Sequence, residues 1–256
     1  MSVQAQTHDL QGGQASLTIV GAGLSGLVTA WRCLSVNPGL VIYLYETRYE
    51  IAGDHTWSFN ETDIPAHLVD WFAPFVRYRW DRYDVRFPER ERTLEIGYCT
   101  GDSAKLRDCV QPFRVEGRLR VHLRQTVPPD AAGPMLDATG FARRDDEFPG
   151  WQKFVGHVIR TEQPHGVTHP VIMDATVAQI DGYRFFYLLP FSEHELLVED
   201  TYFSDSPHLS ENEVGARIDD YVRAKGWSDH AVLRREKGVL PMMMATDRSE
   251  DSAKIG

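Results

Sequence analysis

Apolar residues come in short, dense runs near the N-terminus and in alternating runs further on, and the two patterns predict different kinds of sheet. Ser16-Leu17-Thr18-Ile19-Val20 is an apolar run stopped by Gly21, as in a buried parallel strand. From Ser25 the spacing turns helical, with Leu27, Ala30, Trp31 and Leu34 on one stripe, until Asn37-Pro38-Gly39 breaks it. Leu40 to Tyr45 is a second buried strand, ending at Glu46, and the three segments make one βαβ unit. A loop from Gly53 to Asn60 and a short helix around Leu68 to Phe75 follow. Arg77 to Arg92 is rich in arginine and aromatics, residues 94–134 are weakly patterned, and Met135 to Gly140 reads as a strand ending in a glycine turn. In the second half, Trp151 to Arg160, Tyr183 to Leu189 and Glu195 to Phe203 alternate between turn signals, which predicts strands. The last clear helix covers residues 211–225, with Ser210 and Glu213 as a capping box, Val214, Ile218, Tyr221 and Val222 as its stripe, and Gly226 as its stop.

The turn inside the βαβ unit is Gly21-Ala22-Gly23-Leu24-Ser25-Gly26, with Glu46 twenty positions beyond Gly26. A lone glycine-rich turn says little, but strand, turn, helix and a later acidic residue together form a dinucleotide fingerprint. Gly21 permits the tight turn, Gly23 lets backbone approach a pyrophosphate, and Gly26 lets helix pack on strand. The N–H groups of the helix start, at Leu24 and Ser25, then face the phosphates. Glu46 suits a ribose 2′-hydroxyl and would repel a 2′-phosphate, so the adenosine is that of FAD or NAD rather than NADP. An N-terminal fingerprint combined with the later Leu136-Asp137-Ala138-Thr139-Gly140 turn resembles two-part flavoproteins, in which Asp137 and Gly140 return the chain to FAD.

The fold class expected is α/β, with a Rossmann-like FAD-binding domain and a second, strand-rich substrate domain. Residues 15–60 and 94–149 are assigned to the first and 61–93 and 150–240 to the second, with 1–14 a disordered leader and 241–256 an irregular tail. A formal net charge of −10 argues against nucleic acid and against docking on anionic lipid by charge alone. Three cysteines without CxxC spacing, and a His194-Glu195 pair without a second histidine at Val198, argue against a disulfide framework and a metal site. No apolar run is long enough to span a bilayer, and the start lacks the apolar stretch of a signal peptide. A cytoplasmic setting is expected.

More specific motifs lie at Asp54-His55-Thr56-Trp57-Ser58-Phe59, at Trp151-Gln152-Lys153-Phe154-Val155-Gly156, and from Ile172-Met173-Asp174 through Tyr183-Arg184-Phe185 to Leu197-Val198-Glu199-Asp200-Thr201. From about Leu17 to Leu240 the chain resembles bacterial lycopene β-cyclases. The resemblance implies an FAD-dependent enzyme, peripheral to the inner membrane, that takes lycopene or another apolar polyene and closes its ψ-ends into β-ionone rings, giving γ-carotene and then β-carotene. It also implies reduced flavin, with NAD(P)H serving only as reductant. Two departures stand out. Residues 94–134 look abbreviated, and after Leu240 the chain runs into Met242-Met243-Met244-Ala245-Thr246-Asp247 where the family continues to a glycine-containing segment. That reads as a truncation or a shifted frame.

Ring closure needs an acid, a base and stabilisation of a carbocation in a dry pocket. Glu199, within an apolar strand, is the acid/base candidate, because desolvation would leave it a usable proton. Adjacent strand residues face opposite sides, so Asp200 is expected to be structural or to support the site from behind. An exposed acidic pair is the plainer alternative for both. Asp174 is a possible second carboxylate or a turn cap. His55 and Trp57 are candidates to line the flavin or the substrate tunnel, Trp57 by cation–π contact, and Phe185, Phe186 and Tyr187 are candidates for core or substrate lining. Arg77 to Arg92 reads as a solvated strand face, with a lipid-headgroup contact as its functional alternative. The competing functions are an FAD-dependent monooxygenase or dehydrogenase on another apolar substrate, and an inactive remnant of a flavin fold.

Overall fold

The computed structural model describes residues 15–131, 133–140 and 150–242. Its elements are β1 (Ser16–Val20), α1 (Leu24–Val36), β2 (Val41–Glu46), β3 (Thr56–Asn60), α2 (Val69–Phe72), β4 (Tyr78–Trp80), β5 (Tyr83–Phe87), β6 (Arg90–Leu94) and β7 (Tyr98–Asp102). After these come α3 (Ser103–Val115), β8 (Leu119–Leu123), β9 (Met135–Asp137), β10 (Gly150–Thr161), β11 (Val171–Asp174), β12 (Tyr183–Pro190), β13 (Glu195–Ser204), α4 (Glu211–Ala224) and β14 (His230–Met242). The expected leader and most of the expected tail lie outside the described residues; Pro241 and Met242 belong to β14.

The described residues divide into two compact units, one within 15–53 and 106–140, the other within 54–105 and 150–242. The first holds a parallel sheet in the order β8-β2-β1-β9. Its centre, β1 and β2, buries Ile19, Val41, Ile42 and Leu44, and α1 lays Leu27, Ala30, Trp31 and Leu34 against it. Both faces of such a sheet are covered, which is why its strands are apolar throughout rather than alternating. Each large aliphatic side chain buried there contributes about 1.5–3 kcal/mol.

The second unit is built on a seven-stranded sheet in the order β14-β10-β13-β12-β11-β5-β6, with a small antiparallel sheet β3-β7-β4. On one face of the large sheet, α4 seats Val214, Ile218, Tyr221 and Val222 on Val155, Phe186, Leu188 and Val198. The Phe186 and Tyr221 rings stack 3.8 Å apart. On the opposite face Val158, Leu189 and Leu197 pack with Tyr83 and with Tyr98 of the small sheet. Strands β10, β12 and β13 are therefore buried on both sides over much of their length.

Four details differ from the sequence expectation. Residues 54–60 and 94–105 were assigned to the first domain, but β3 and β7 pair with each other and with β4 inside the second unit. The weakly patterned 94–134 contains a full strand–helix–strand, β7-α3-β8; Pro112 inside α3 and its polar face blur the helical stripe of Leu106, Cys109 and Val110. Ser210 caps α4 through its carbonyl, which accepts the Val214 N–H, and its side chain makes no cap bond, so the capping box does not form. Finally, β14 is a thirteen-residue strand, paired along the length of β10, that its charged sequence conceals.

Candidate functional site

In the first unit, β1 delivers the glycine turn and β2 delivers Glu46 to the same end of the sheet. Gly21 adopts φ +99°, and a Cβ there would lie 2.6 Å from the Ala138 carbonyl oxygen, so only glycine fits. A Cβ on Gly26 would fall 2.0 Å from the Gly21 carbonyl oxygen, which fixes the approach of α1 to the turn. Gly23, at the N-cap of α1, faces open space. Glu46 Oε2 accepts the Ala22 N–H at 2.8 Å and Oε1 accepts the Arg48 N–H at 2.8 Å. Burial would raise this carboxyl, but the two backbone donors, Thr47 and the Arg48 charge outweigh it and hold the group below its ordinary value. Oε1 also accepts from the Thr47 hydroxyl at 3.3 Å, whereas Oε2 retains a second lone pair for a ribose hydroxyl.

The turn after β9 meets the glycine turn directly. Val20 pairs with Asp137, and the Ala138 N–H donates to the Val20 carbonyl at 2.8 Å. Asp137 Oδ1 accepts from the Thr139 N–H and hydroxyl at 3.0 and 2.6 Å, and Gly140 follows at φ +81°. Two observations suit a dinucleotide here: Gly23 leaves space over the N-terminus of α1, and the buried Ser25 hydroxyl lacks a hydrogen-bond partner. A pyrophosphate would fill the first and satisfy the second.

In the second unit, strand alternation separates the three acidic candidates. Asp200 is fully buried on the α4 face, where Arg184 Nε and Nη2 donate to its two oxygens at 2.7 and 2.9 Å and Arg217 Nε donates at 2.8 Å. Asp174 shares that face through the register Asp174–Phe186–Asp200. Burial raises its carboxyl, but hydrogen bonds from Thr176 and from the Tyr221 hydroxyl, at 2.7 Å, together with Lys225, hold it below the usual range. Both are ion-paired carboxylates beneath a helix. They lie on the face opposite Glu199 and do not share a pocket with it: Asp200 has the expected structural place, and Asp174 is taken up by Thr176, Tyr221 and Lys225 rather than placed as a second carboxylate beside Glu199.

Glu199 is on the other face of β13, directly opposite Tyr187 of β12 and Gly156 of β10. Burial pushes its carboxyl up to about 8; the Thr201 hydroxyl, donating at 2.7 Å, opposes the rise, and the charges of Glu236 and Asp200 add to it. The group keeps some accessible surface, as expected of a carboxyl crowded by protein but not sealed. The Tyr187 and Tyr98 hydroxyls lie 2.9 Å apart beside it, and Phe185 projects from the same face two residues along β12. At neutral pH Glu199 therefore holds a proton among aromatic and aliphatic side chains.

His55 and Trp57 fall elsewhere. Ser58, Tyr98 and Thr100 share the face of the small sheet that meets Glu199's side, whereas Trp57 pairs with Gly101 on the reverse face. The Trp57 ring packs 6.2 Å from Phe75 and 5.6 Å from His55, in a cluster continued by Phe59 and Phe72. Trp57 thus faces away from the side of the small sheet that meets Glu199. The arginines from Arg77 onward are largely neutralised: Arg77 pairs with Asp102, Arg79 with Glu61, Arg82 with Glu95, and Arg86 with Asp84 and Glu91.

The residue that sequence reasoning passed over is Glu236 of β14. It is 7% exposed, shares the Gly156 register with Glu199, and bonds Arg234 at 2.8 Å and the Thr56 N–H at 3.1 Å. Arg234-Arg235-Glu236-Lys237 reads as a solvated charge run. The available signal was period two, with Arg234 and Glu236 facing the core while Arg235 and Lys237 stay exposed. Beside this row, Thr56, Arg77, Tyr78, Thr100, Phe191 and Arg234 line a cavity of about 180 Å³.

Comparison with known proteins gives this arrangement relatives. The family model of lycopene cyclase proteins matches residues 16–255. A lycopene beta-cyclase of Pseudescherichia vulneris is 36% identical over 241 residues, covering 90% of this chain and 62% of that protein. One from a Paracoccus species is 38% identical over 250 residues, covering 94% and 63%. The chain thus spans somewhat under two thirds of the length of these relatives. Among solved structures, a geranylgeranyl bacteriochlorophyll reductase-like protein of Thermoplasma acidophilum superposes with a TM-score of 0.61 at 12% identity, covering 90% of this chain and 67% of that one. A probable FAD-dependent monooxygenase from Pseudomonas aeruginosa does so with a TM-score of 0.56 at 11% identity, covering 87% and 72%. These two share the fold, an α/β architecture with a Rossmann-like domain and a strand-rich one. A family match over nearly the whole length, with more than a third of residues identical to individual members, leaves one conclusion: the chain belongs to the lycopene cyclase family.

Proposed function

We propose that the chain carries the chemistry of a lycopene β-cyclase, the redox-neutral closure of lycopene ψ-ends to β-ionone rings, giving γ-carotene and then β-carotene. The observation that carries this reading is the placement of Glu199 among Tyr187, Tyr98 and Leu197, where burial pushes its carboxyl up to about 8. The Glu199 proton adds to C2 of the ψ-end. The C5–C6 alkene then bonds C1, and the C6 proton leaves to a base, so the substrate is isomerised without net redox change. The returning proton restores Glu199. Crowding by aromatic and aliphatic groups keeps water from trapping the carbocation, and an acid with a value near neutrality suits both directions of proton transfer.

FAD is the cofactor this reading requires, held at Gly21 to Gly26 with Glu46 on its ribose and the Asp137–Gly140 turn beside it. In reduced form, with NAD(P)H as its reductant, it would supply an anion to stabilise positive charge. Lycopene is an apolar polyene of the membrane, and we infer that the protein meets it by peripheral contact through apolar side chains. The paired state of the arginines from Arg77 to Arg86 supports apolar rather than charge-led attachment.

The test is expression of the chain, alone and extended by the C-terminal part of a longer relative, in lycopene-accumulating cells, with pigments separated by chromatography. The expected products are γ-carotene and β-carotene. Substrate-dependent consumption of NAD(P)H or oxygen in step with product would favour an FAD-dependent oxidoreductase instead.

A further inference from the structure

Glu199 is not the sole buried acid on its face of the sheet. Gly156 of β10 has two cross-strand partners, Glu199 on β13 and Glu236 on β14, so all three occupy one row. Neighbouring strands run about 4.8 Å apart, so two glutamates separated by one strand would ordinarily be kept apart by the side chain between them. Here that side chain is missing. A Cβ built on Gly156 would lie 3.1 Å from Glu236 Cγ and 3.4 Å from Glu199 Oε2, so both side chains lean over the glycine from opposite sides.

The two are held differently. Glu236 Oε2 accepts from Arg234 Nη1 at 2.8 Å and from the Thr56 N–H at 3.1 Å, and Arg234 Nη2 is anchored on Thr56 Oγ1 at 2.6 Å. Glu199 has a single neutral donor, the Thr201 hydroxyl. Among the described residues, the other titratable groups near the row are Tyr98 and Tyr187, whose hydroxyls burial pushes up, and Asp54, which shares Arg234 Nη1 at 3.5 Å, while Asp200 adds a charge from the far side of β13. Burial raises the carboxyls of both glutamates, Arg234 opposing it only for Glu236.

We propose that Glu199 and Glu236 form a one-proton carboxylate pair across Gly156, in which Glu236, fixed as the anion by Arg234 and Thr56, keeps the mobile proton on Glu199. Glu236 is a positioning residue: it acts through Glu199 and leaves the substrate to it. This rests on Glu199 being the acid of the proposed reaction, but the pairing itself is readable without turnover. Two like charges one to two strand spacings apart, at an effective dielectric near 20, are coupled by roughly one to two and a half pH units of titration.

The experiment follows the Glu199 carboxyl by ¹³C NMR in the full chain labelled at glutamate, its signal identified by loss in Glu199→Gln. In Glu236→Gln the Glu199 midpoint should fall by one to two pH units, because the neighbouring anion is gone and Arg234 is released. Gly156→Ala, which wedges a methyl between the two groups, should move the midpoint the same way by a smaller amount while both acids remain. Arg234→Gln should let Glu236 take up the proton, seen as a second carboxyl titrating near neutrality. An unmoved Glu199 midpoint in Glu236→Gln, with the variant folded, overturns the pair even if Glu199→Gln abolishes cyclisation. A shifted midpoint with full cyclisation by Glu199→Gln would keep the pair and overturn Glu199 as the acid.

Discussion

Arg184 grips Asp200 with two parallel hydrogen bonds, at 2.7 and 2.9 Å, on the face of β13 opposite Glu199. Neighbours in sequence thus have opposite surroundings: one carboxyl is held by two arginines under α4, the other is pushed up to about 8 by burial on the opposite face. Removing one partner of a buried ion pair leaves uncompensated charge. Asp200→Ala should therefore cost about 3–5 kcal/mol, read as a lowered urea midpoint, with Asp200→Asn milder. A loss under 1 kcal/mol in Asp200→Ala would contradict the buried cluster.

Glu199→Gln keeps the shape of the side chain and removes its proton. Cyclisation should fall by about two orders of magnitude or more, the ordinary scale of acid–base catalysis, while retained flavin is unchanged. The measurement is pigment conversion in a form of the chain whose parent is active. Conversion at near parental rate would put the proton source elsewhere.

The same carboxyl fixes the sign of one pH dependence. Its value rises from 4.5 in a free side chain to about 8 in the fold, so between those limits the native state holds a proton that the unfolded state has released. Stability from this group is complete at low pH and declines as pH rises through that window. Urea midpoints at about pH 5 and about pH 9 should fall less in Glu199→Gln than in the parent. Asp174 and Glu46, held below their ordinary values, work in the opposite direction and lose their contribution on acidification. An identical decline in parent and Glu199→Gln would mean that Glu199 is not buried as a neutral acid.

Gly23 separates cofactor binding from folding. A side chain there meets nothing within 4 Å, so Gly23→Val should leave the thermal midpoint within a degree or two while blocking the approach of a pyrophosphate to α1. Flavin absorbance co-eluting with the protein on gel filtration should disappear in the variant. FAD retained in full would show that the phosphates do not sit over this turn.

Membrane attachment should survive high salt, since screening leaves apolar burial intact. Flotation with liposomes in low and high salt is the measurement. Release by salt alone would instead give the role to charge, with Arg90 and Arg92 as the first residues to replace.

The βαβ unit was legible because its determinants are local. Gly21 to Gly26 and Glu46 lie within one strand–turn–helix–strand, and backbone geometry dictates their residue types. The opposed directions of Glu199 and Asp200 were legible for the same reason, since alternation follows from the pleat of a single strand. What α4 and the small sheet cover was not local. Asp174 and Asp200 became ion-paired because Tyr221 and Arg217 arrive on α4, and Lys225 at its C-terminal end, up to about fifty residues away. Trp57 turned from Glu199 because β3 pairs with β7, which sets its face. Glu236 sits in a run of charged residues, and only the pairing of β14 with β10 places it across Gly156 from Glu199. Sequence determined which groups could titrate and which way each strand presents them. Only the tertiary pairing decided which of those groups lost water and which gained a counter-charge, and that difference raises the Glu199 carboxyl while Asp200 is held in an ion pair.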